Sequence, residues 1–190
     1  TDVYNIAIGH NAGLAVTTGV QNTLIGGLAG DALTTGGQNV AIGYLALSAE
    51  TTSANNVAIG REALKTSNGG SGNTAVGRTA LAATTTGDDN VGVGLNALLA
   101  NTTGTLNVAV GMNAVDANTT GDKNTGIGQG ALSTNTTADS NTAVGFASLN
   151  LNTTGDNNTA IGQLSLTANT TGRFNVASGV DALRRSTTGS

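Results

Sequence analysis

The sequence predicts an all-β chain folded as a parallel β-solenoid, a β-roll of eleven coils of seventeen residues each. Three observations predict it. A pentapeptide typified by Asn158-Thr159-Ala160-Ile161-Gly162 recurs along the whole chain, for instance as Asn56-Val57-Ala58-Ile59-Gly60 and Asn107-Val108-Ala109-Val110-Gly111. Its leading asparagine stands at Asn5, Asn22, Asn39, Asn56, Asn73, Asn90, Asn107, Asn124, Asn141, Asn158 and Asn175, at one constant interval from i to i+17. Fixed self-similarity marks a solenoid or array, so residues 1–190 form a single repeat domain. Finally, the chain has 29 Gly, no Pro, no Trp, two Tyr and two Phe. Its core must therefore be thin and built from small, stacked side chains.

Counting columns 1 to 17 from the asparagine, each element follows in order. Column 1 side chains stacked one above another can satisfy amide donors and acceptors as a ladder. Asn56, Asn73, Asn90, Asn107, Asn124, Asn141 and Asn158 are assigned to it. Columns 2 to 4 hold mostly Val or Thr, then Ala, then Ile or Val, which suits a short strand. Columns 2 and 4 share one face and column 3 takes the other. Column 5 is Gly in every coil, where it bends the chain through positive φ without steric cost. Columns 7 to 11 centre on Ala or Ser at column 8 and Leu or Val at column 9, with Gly13 and Gly30 as departures. This segment is too short for a helix and reads as a second strand. Columns 12 to 17, such as 152–157, are polar turns. Two short strands and two turns then make a flattened coil. Stacking at about 4.8 Å gives a rod of roughly 50 Å. An inserted residue would flip the strand that follows, which explains the constant spacing.

Columns 4 and 9 read as the large apolar groups of each coil. Column 3 (Ala58, Ala75, Gly92, Ala109, Gly126, Ala143) reads as a flat face for a partner. Identical chains are therefore expected to associate, three around an axis with that strand inward. Thr1 to Tyr4 fill columns 14 to 17 of a coil and Ser190 fills column 16 of another, with no capping sequence. The chain is expected to be a segment of a longer fibre or to stack end to end.

Composition excludes several function classes. A net charge of −4 argues against a nucleic-acid binder, which needs a basic stripe. No apolar run approaches the roughly 18 residues of a membrane span. The absence of Cys excludes disulfides and thiol chemistry. Catalysis needs convergent unlike groups, yet His10 is the only His, and Glu50 and Glu62 fall in different columns. Hence no enzyme and no cofactor are expected. Gly92-Val93-Gly94 and Gly126-Ile127-Gly128 look like pieces of a phosphate loop, but they are columns 3 to 5 of the repeat. Asp122, Asp139 and Asp156, with Asp88, stack in column 16. Calcium or magnesium favours such oxygens, while Asp is also an ordinary turn residue. Arg61 and Arg78 in column 6 read as a solvated edge. The Thr-Thr of columns 13 and 14 gives a candidate surface-binding file at Thr102, Thr119, Thr136, Thr153 and Thr170, similar to the threonine arrays of ice-binding solenoids. Those arrays set Thr in alternate strand positions, whereas adjacent Thr followed by Gly reads instead as a turn with one hydroxyl on local backbone. Asn101-Thr102-Thr103 and its kin also match the N-glycosylation pattern.

The Asn-Xaa-Ala-Ile-Gly strand followed by a small residue in column 8 resembles the head repeats of trimeric autotransporter adhesins, the YadA-like family. Those repeats are shorter than the repeat of this chain. The array Asn-Thr-Ala-Ile-Gly, Ala-Leu, Asn-Thr-Thr-Gly is closer to tail-fibre-like proteins of phages and bacteria, and residues 141–157 and 158–174 match it well. The resemblance implies a left-handed β-roll in a homotrimer. It also implies an extracellular, cell-surface or virion location and a fibre that attaches to a cell-surface or matrix ligand.

Overall fold

The computed structural model describes residues 4–189. It is a parallel β-solenoid with no helix among the described residues. Eleven three-residue strands form one sheet in chain order, from β1 (Ile6–Ile8), β2 (Thr23–Ile25), β3 (Val40–Ile42), β4 (Val57–Ile59), β5 (Thr74–Val76) and β6 (Val91–Val93) to β7 (Val108–Val110), β8 (Thr125–Ile127), β9 (Thr142–Val144), β10 (Thr159–Ile161) and β11 (Val176–Ser178). Every pairing is parallel and joins residue i to i+17, as in Thr159↔Val176. Like columns therefore sit on like columns.

Two expectations about the coil are corrected. First, there is one strand per coil, not two. Columns 7, 9 and 17 have left-handed φ, for example at Leu45 (+56°), Leu47 (+54°) and Gln38 (+61°). Left-handed backbone at columns 7 and 9 folds the Ala-Leu segment into a tight arc that cannot continue as a strand. The arc still bonds to its neighbours: Leu45 N–H donates to the carbonyl of Gly27 below (3.1 Å), Leu47 N–H to Ala63 above (3.0 Å) and Ala49 N–H to Lys65 above (3.2 Å).

Second, the strand faces are inverted. Column 3 points inward: Ala41, Ala58, Ala75, Ala109, Ala143 and Ala160 are fully buried among the column 8 alanines and column 9 leucines. Columns 2 and 4 point outward. Column 4 is thus not a core column, and column 3 is not a face offered to a partner. The interior is narrow, so only Ala or Gly fits opposite Leu. At two places the sizes change together. Leu24 replaces Ala in column 3 beside Gly13 and Gly30, where an added Cβ would lie 2.7 and 2.8 Å from Leu24 methyls. Gly126 makes room for the Val115 Cγ2.

Column 5 glycines hold φ near +130°, as at Gly111 (+136°). A Cβ on Gly111 would stand 2.7 Å from both the carbonyl carbon and the oxygen of Gly128 in the next coil. Backbone stacks on backbone there, without room for a methyl. Gly111→Ala is therefore expected to destabilise the fold by about 2 kcal/mol or more, measured as a lower urea midpoint with circular dichroism. An unchanged midpoint would contradict this packing.

Candidate functional site

Outside the coil, the strand side chains form a ribbon that follows the length of the rod. Column 2 supplies Val91, Val108, Thr125, Thr142 and Thr159, and column 4 supplies Val93, Val110, Ile127, Val144 and Ile161. Val110, Ile127 and Ile161 are 37%, 40% and 46% exposed. Column 6, just past the glycine, adds the exposed Tyr44, Leu95, Met112 and Phe146. Alternation along each strand fixes this arrangement: Ala inward for the coil, Val or Ile outward. Column 4 is apolar without a break from Ile8 to Ile161 because the register never slips, while column 2 mixes Val with Thr and column 6 also carries Arg61, Arg78, Gln129 and Gln163.

The column 1 asparagines lie inside the coil, fully buried from Asn22 to Asn158. The Asn39 backbone N–H donates to Asn22 Oδ1 (3.0 Å), and its Nδ2 donates to the same oxygen (3.1 Å) and to the Ser53 carbonyl (3.0 Å). Asn158 repeats this on Asn141 Oδ1 (2.9 and 3.2 Å) and the Gly172 carbonyl (2.8 Å). Asn56, Asn73, Asn90, Asn107, Asn124 and Asn141 likewise donate their backbone N–H to the asparagine below. Each amide therefore completes the backbone of its own coil and of its neighbour.

Sequence reasoning missed a second amide ladder. Asn101, Asn118, Asn135, Asn152 and Asn169 in column 12 are also fully buried. Asn118 Nδ2 donates to Asn101 Oδ1 at 2.8 Å and Asn135 Nδ2 to Asn118 Oδ1 at 2.9 Å. The signal was the same i to i+17 interval, masked by the unlike side chains earlier in the column: Val16, Leu33, Glu50, Ser67 and Thr84. Glu50 is fully buried. Its Oε1 accepts N–H from Thr51, Thr52 and Ser53 (2.9, 3.0 and 2.8 Å), and its Oε2 accepts Ser67 Oγ and Gly69 N–H (both 3.1 Å). Burial pushes this carboxyl up, but the N–H donors of Ser53, Gly69 and Thr52 outweigh burial and hold it below the usual glutamate range.

The remaining sequence-predicted residues stand in separate files and do not converge on one site. Thr102, Thr119, Thr136, Thr153 and Thr170 donate their hydroxyls to the column 13 carbonyl of the next coil, at 2.9 to 3.2 Å. The exposed file is column 14: Thr103, Thr120, Thr137, Thr154 and Thr171. Asp122 and Asp139 each accept the backbone N–H of the residue one coil below at 2.7 Å, and Asp156 does so at 3.0 Å. Arg173 closes that file with a contact of 3.3 Å to Asp156. Among the described residues no group of three or more His, Cys, Asp or Glu is arranged to hold a metal ion. His10 is exposed. Glu62 pairs with Arg61 (2.9 Å) and Lys65 (3.6 Å) on the outer edge. A shallow concavity on the last coil is lined by Asp181, Leu183, Arg184, Arg185 and Ser186.

Comparison with known proteins finds no matching family model, no matching curated protein and no matching solved structure.

Glu50 ties the turns of two coils, and its folded-state pKa is depressed. Its contribution is therefore present above the unfolded glutamate pKa and is lost as pH falls through the folded value. Between about pH 7 and about pH 3 the wild type should lose more stability than Glu50→Gln. Urea midpoints at the two pH values check this, and equal losses would sink it.

Proposed function

We propose that this chain is a non-enzymatic structural segment of an extracellular homotrimeric fibre, a surface adhesin head or stalk or a phage-type tail fibre. In that fibre it carries or contributes to attachment to a cell-surface or matrix ligand. The observation that carries the reading is the outward apolar ribbon of columns 2 and 4. Each coil already fills its own narrow interior, so this ribbon is surplus to the fold of a single chain. The unbroken file of Ile and Val in column 4, flanked by the Val and Thr of column 2, favours association, and rotational closure around an axis gives every chain the same burial. The inward-facing surface of the trimer is then columns 2 and 4 rather than column 3. A left-handed coil, as in the adhesin heads the repeat resembles, belongs to the same proposal. The mechanism is mechanical: inter-coil hydrogen bonds in every coil make a stiff rod that holds a binding surface away from its anchor.

Multi-angle light scattering tests it. The wild type is expected to be trimeric at micromolar concentration, and Ile127→Glu with Ile161→Glu is expected to be monomeric with an unchanged circular dichroism spectrum. A monomeric wild type overturns the proposal.

The exposed column 14 threonines support a second reading, an ice-binding solenoid. They form one file at coil spacing, with hydroxyls that hold no partner among the described residues. Thermal hysteresis that disappears in Thr137→Tyr with Thr154→Tyr is the expected result of that reading; no hysteresis in the wild type removes it.

A further inference from the structure

Six Asn-Xaa-Thr triplets occur in the chain. Five begin in column 12, at Asn101, Asn118, Asn135, Asn152 and Asn169, and the sixth is Asn157-Asn158-Thr159. The sequence pattern treats them alike, but the fold separates them. N-linked glycosylation joins the asparagine Nδ2 to the anomeric carbon of an oligosaccharide carried on a lipid pyrophosphate. The bond from that carbon to the pyrophosphate oxygen breaks, and the amide proton lost from Nδ2 leaves with the pyrophosphate. The modified nitrogen keeps one hydrogen and gains a bulky substituent.

In the column 12 asparagines that nitrogen is enclosed. Asn118, Asn135, Asn152 and Asn169 each donate twice from Nδ2, so neither amide hydrogen is free. One bond goes to the asparagine below, at 2.8, 2.9, 3.1 and 2.8 Å. The other goes to the carbonyl of residue i+3, at 2.9, 3.0, 2.9 and 3.0 Å. Asn101 makes the second of these bonds at 3.0 Å. All five are fully buried. Even one added carbon on Gly121 or Gly155 would lie within 2.5 and 2.6 Å of the Asn118 and Asn152 Oδ1 atoms. Asn157 differs in every respect. It stands in column 17, is exposed, and ties only its backbone N–H to the Asp139 carbonyl (3.1 Å), leaving the side-chain amide outside the coil.

We infer that the folded rod accepts an N-linked glycan at Asn157 alone, and that glycosylation of the five buried asparagines before folding blocks coil closure. Productive folding of this chain thus requires synthesis where no N-glycosylating enzyme meets the unfolded polypeptide. The inference is independent of the fibre reading, because it rests on the interior of a single chain.

The geometry also supplies the control. The hydroxyl that the enzyme needs belongs to Thr103, Thr120, Thr137, Thr154 and Thr171, which are exposed. Replacing all five by Val removes the triplets and keeps both amide ladders. Wild type and fivefold variant are made in a bacterial cytosol, where both should fold with the same urea midpoint. Both are then directed through the secretory pathway of a glycosylating cell. The wild type is expected to be retained or aggregated with glycans on the column 12 asparagines. The variant is expected to be secreted folded, with one glycan that disappears in Asn157→Gln. Wild type secreted in folded form at the variant's level overturns the inference, whether or not those asparagines carry sugar. A secreted variant with no glycan on Asn157 overturns its first clause.

Discussion

The hydrogen bond from one coil to the next is the interaction on which the rest depends. It runs through the strands and continues around the arc of columns 7 to 11 and the turn at column 13. A three-residue strand is far too short to stand alone. Repeated in register and extended around the coil, the same bonds close a backbone that has almost no large side chains to bury. Left-handed backbone at columns 7, 9 and 17 is the cost of this arrangement. A non-glycine residue in that region is disfavoured by roughly 1 kcal/mol, yet Val115 and Thr79 adopt it. They do so because the arc places alternate N–H groups toward the coils above and below.

Polar side chains inside the rod follow from the same constraint. The carbonyls of column 15 and the N–H groups of column 1 are turned inward, where water does not reach them. An amide carries both donor and acceptor, so a file of asparagines can serve one coil and the next. Glu50 meets an equivalent demand with oxygens only, and therefore takes N–H and O–H donors rather than carbonyls. Thr84, between Ser67 and Asn101 in the same column, has a buried hydroxyl with no partner. The column thus changes from apolar to carboxylate to hydroxyl to amide along the rod, and a buried oxygen is left without a partner at both ends of the amide run, at Thr84 and at Asn169 Oδ1.

The spacing, the strand position, the parallel register and the bending glycine were all readable in the sequence, because each leaves a residue type at a fixed interval. The arc was not. Left-handed φ at column 9 falls on Leu in most coils, and Leu carries no signature of that conformation. The direction of column 3 was misread because a file of small side chains suits a partner face and a cramped interior equally well. The distinguishing signal lay in pairs. Leu24 accompanies Gly13 and Gly30, and Gly126 accompanies Val115, so column 3 must face column 9. Once that is seen, the outward ribbon of Val, Ile and Thr follows, as does the removal of column 4 from the core.

The two halves of column 12 give the rod an uneven grammar. From Asn101 to Asn169 each coil carries the same amide in column 12, so in that column any one of these units can follow any other and still find an amide neighbour. Duplication or loss of a whole repeat unit there leaves the column 12 junction unchanged, whereas the junction of Val115 with Gly126 tolerates no Ala in place of the glycine. Between Leu33 and Thr84 the column is not interchangeable, because the Glu50 carboxylate needs the Ser67 and Gly69 donors of the coil above it. In this column a change in length by whole units is neutral along the amide run, while the coil of Glu50 must keep the one that follows it.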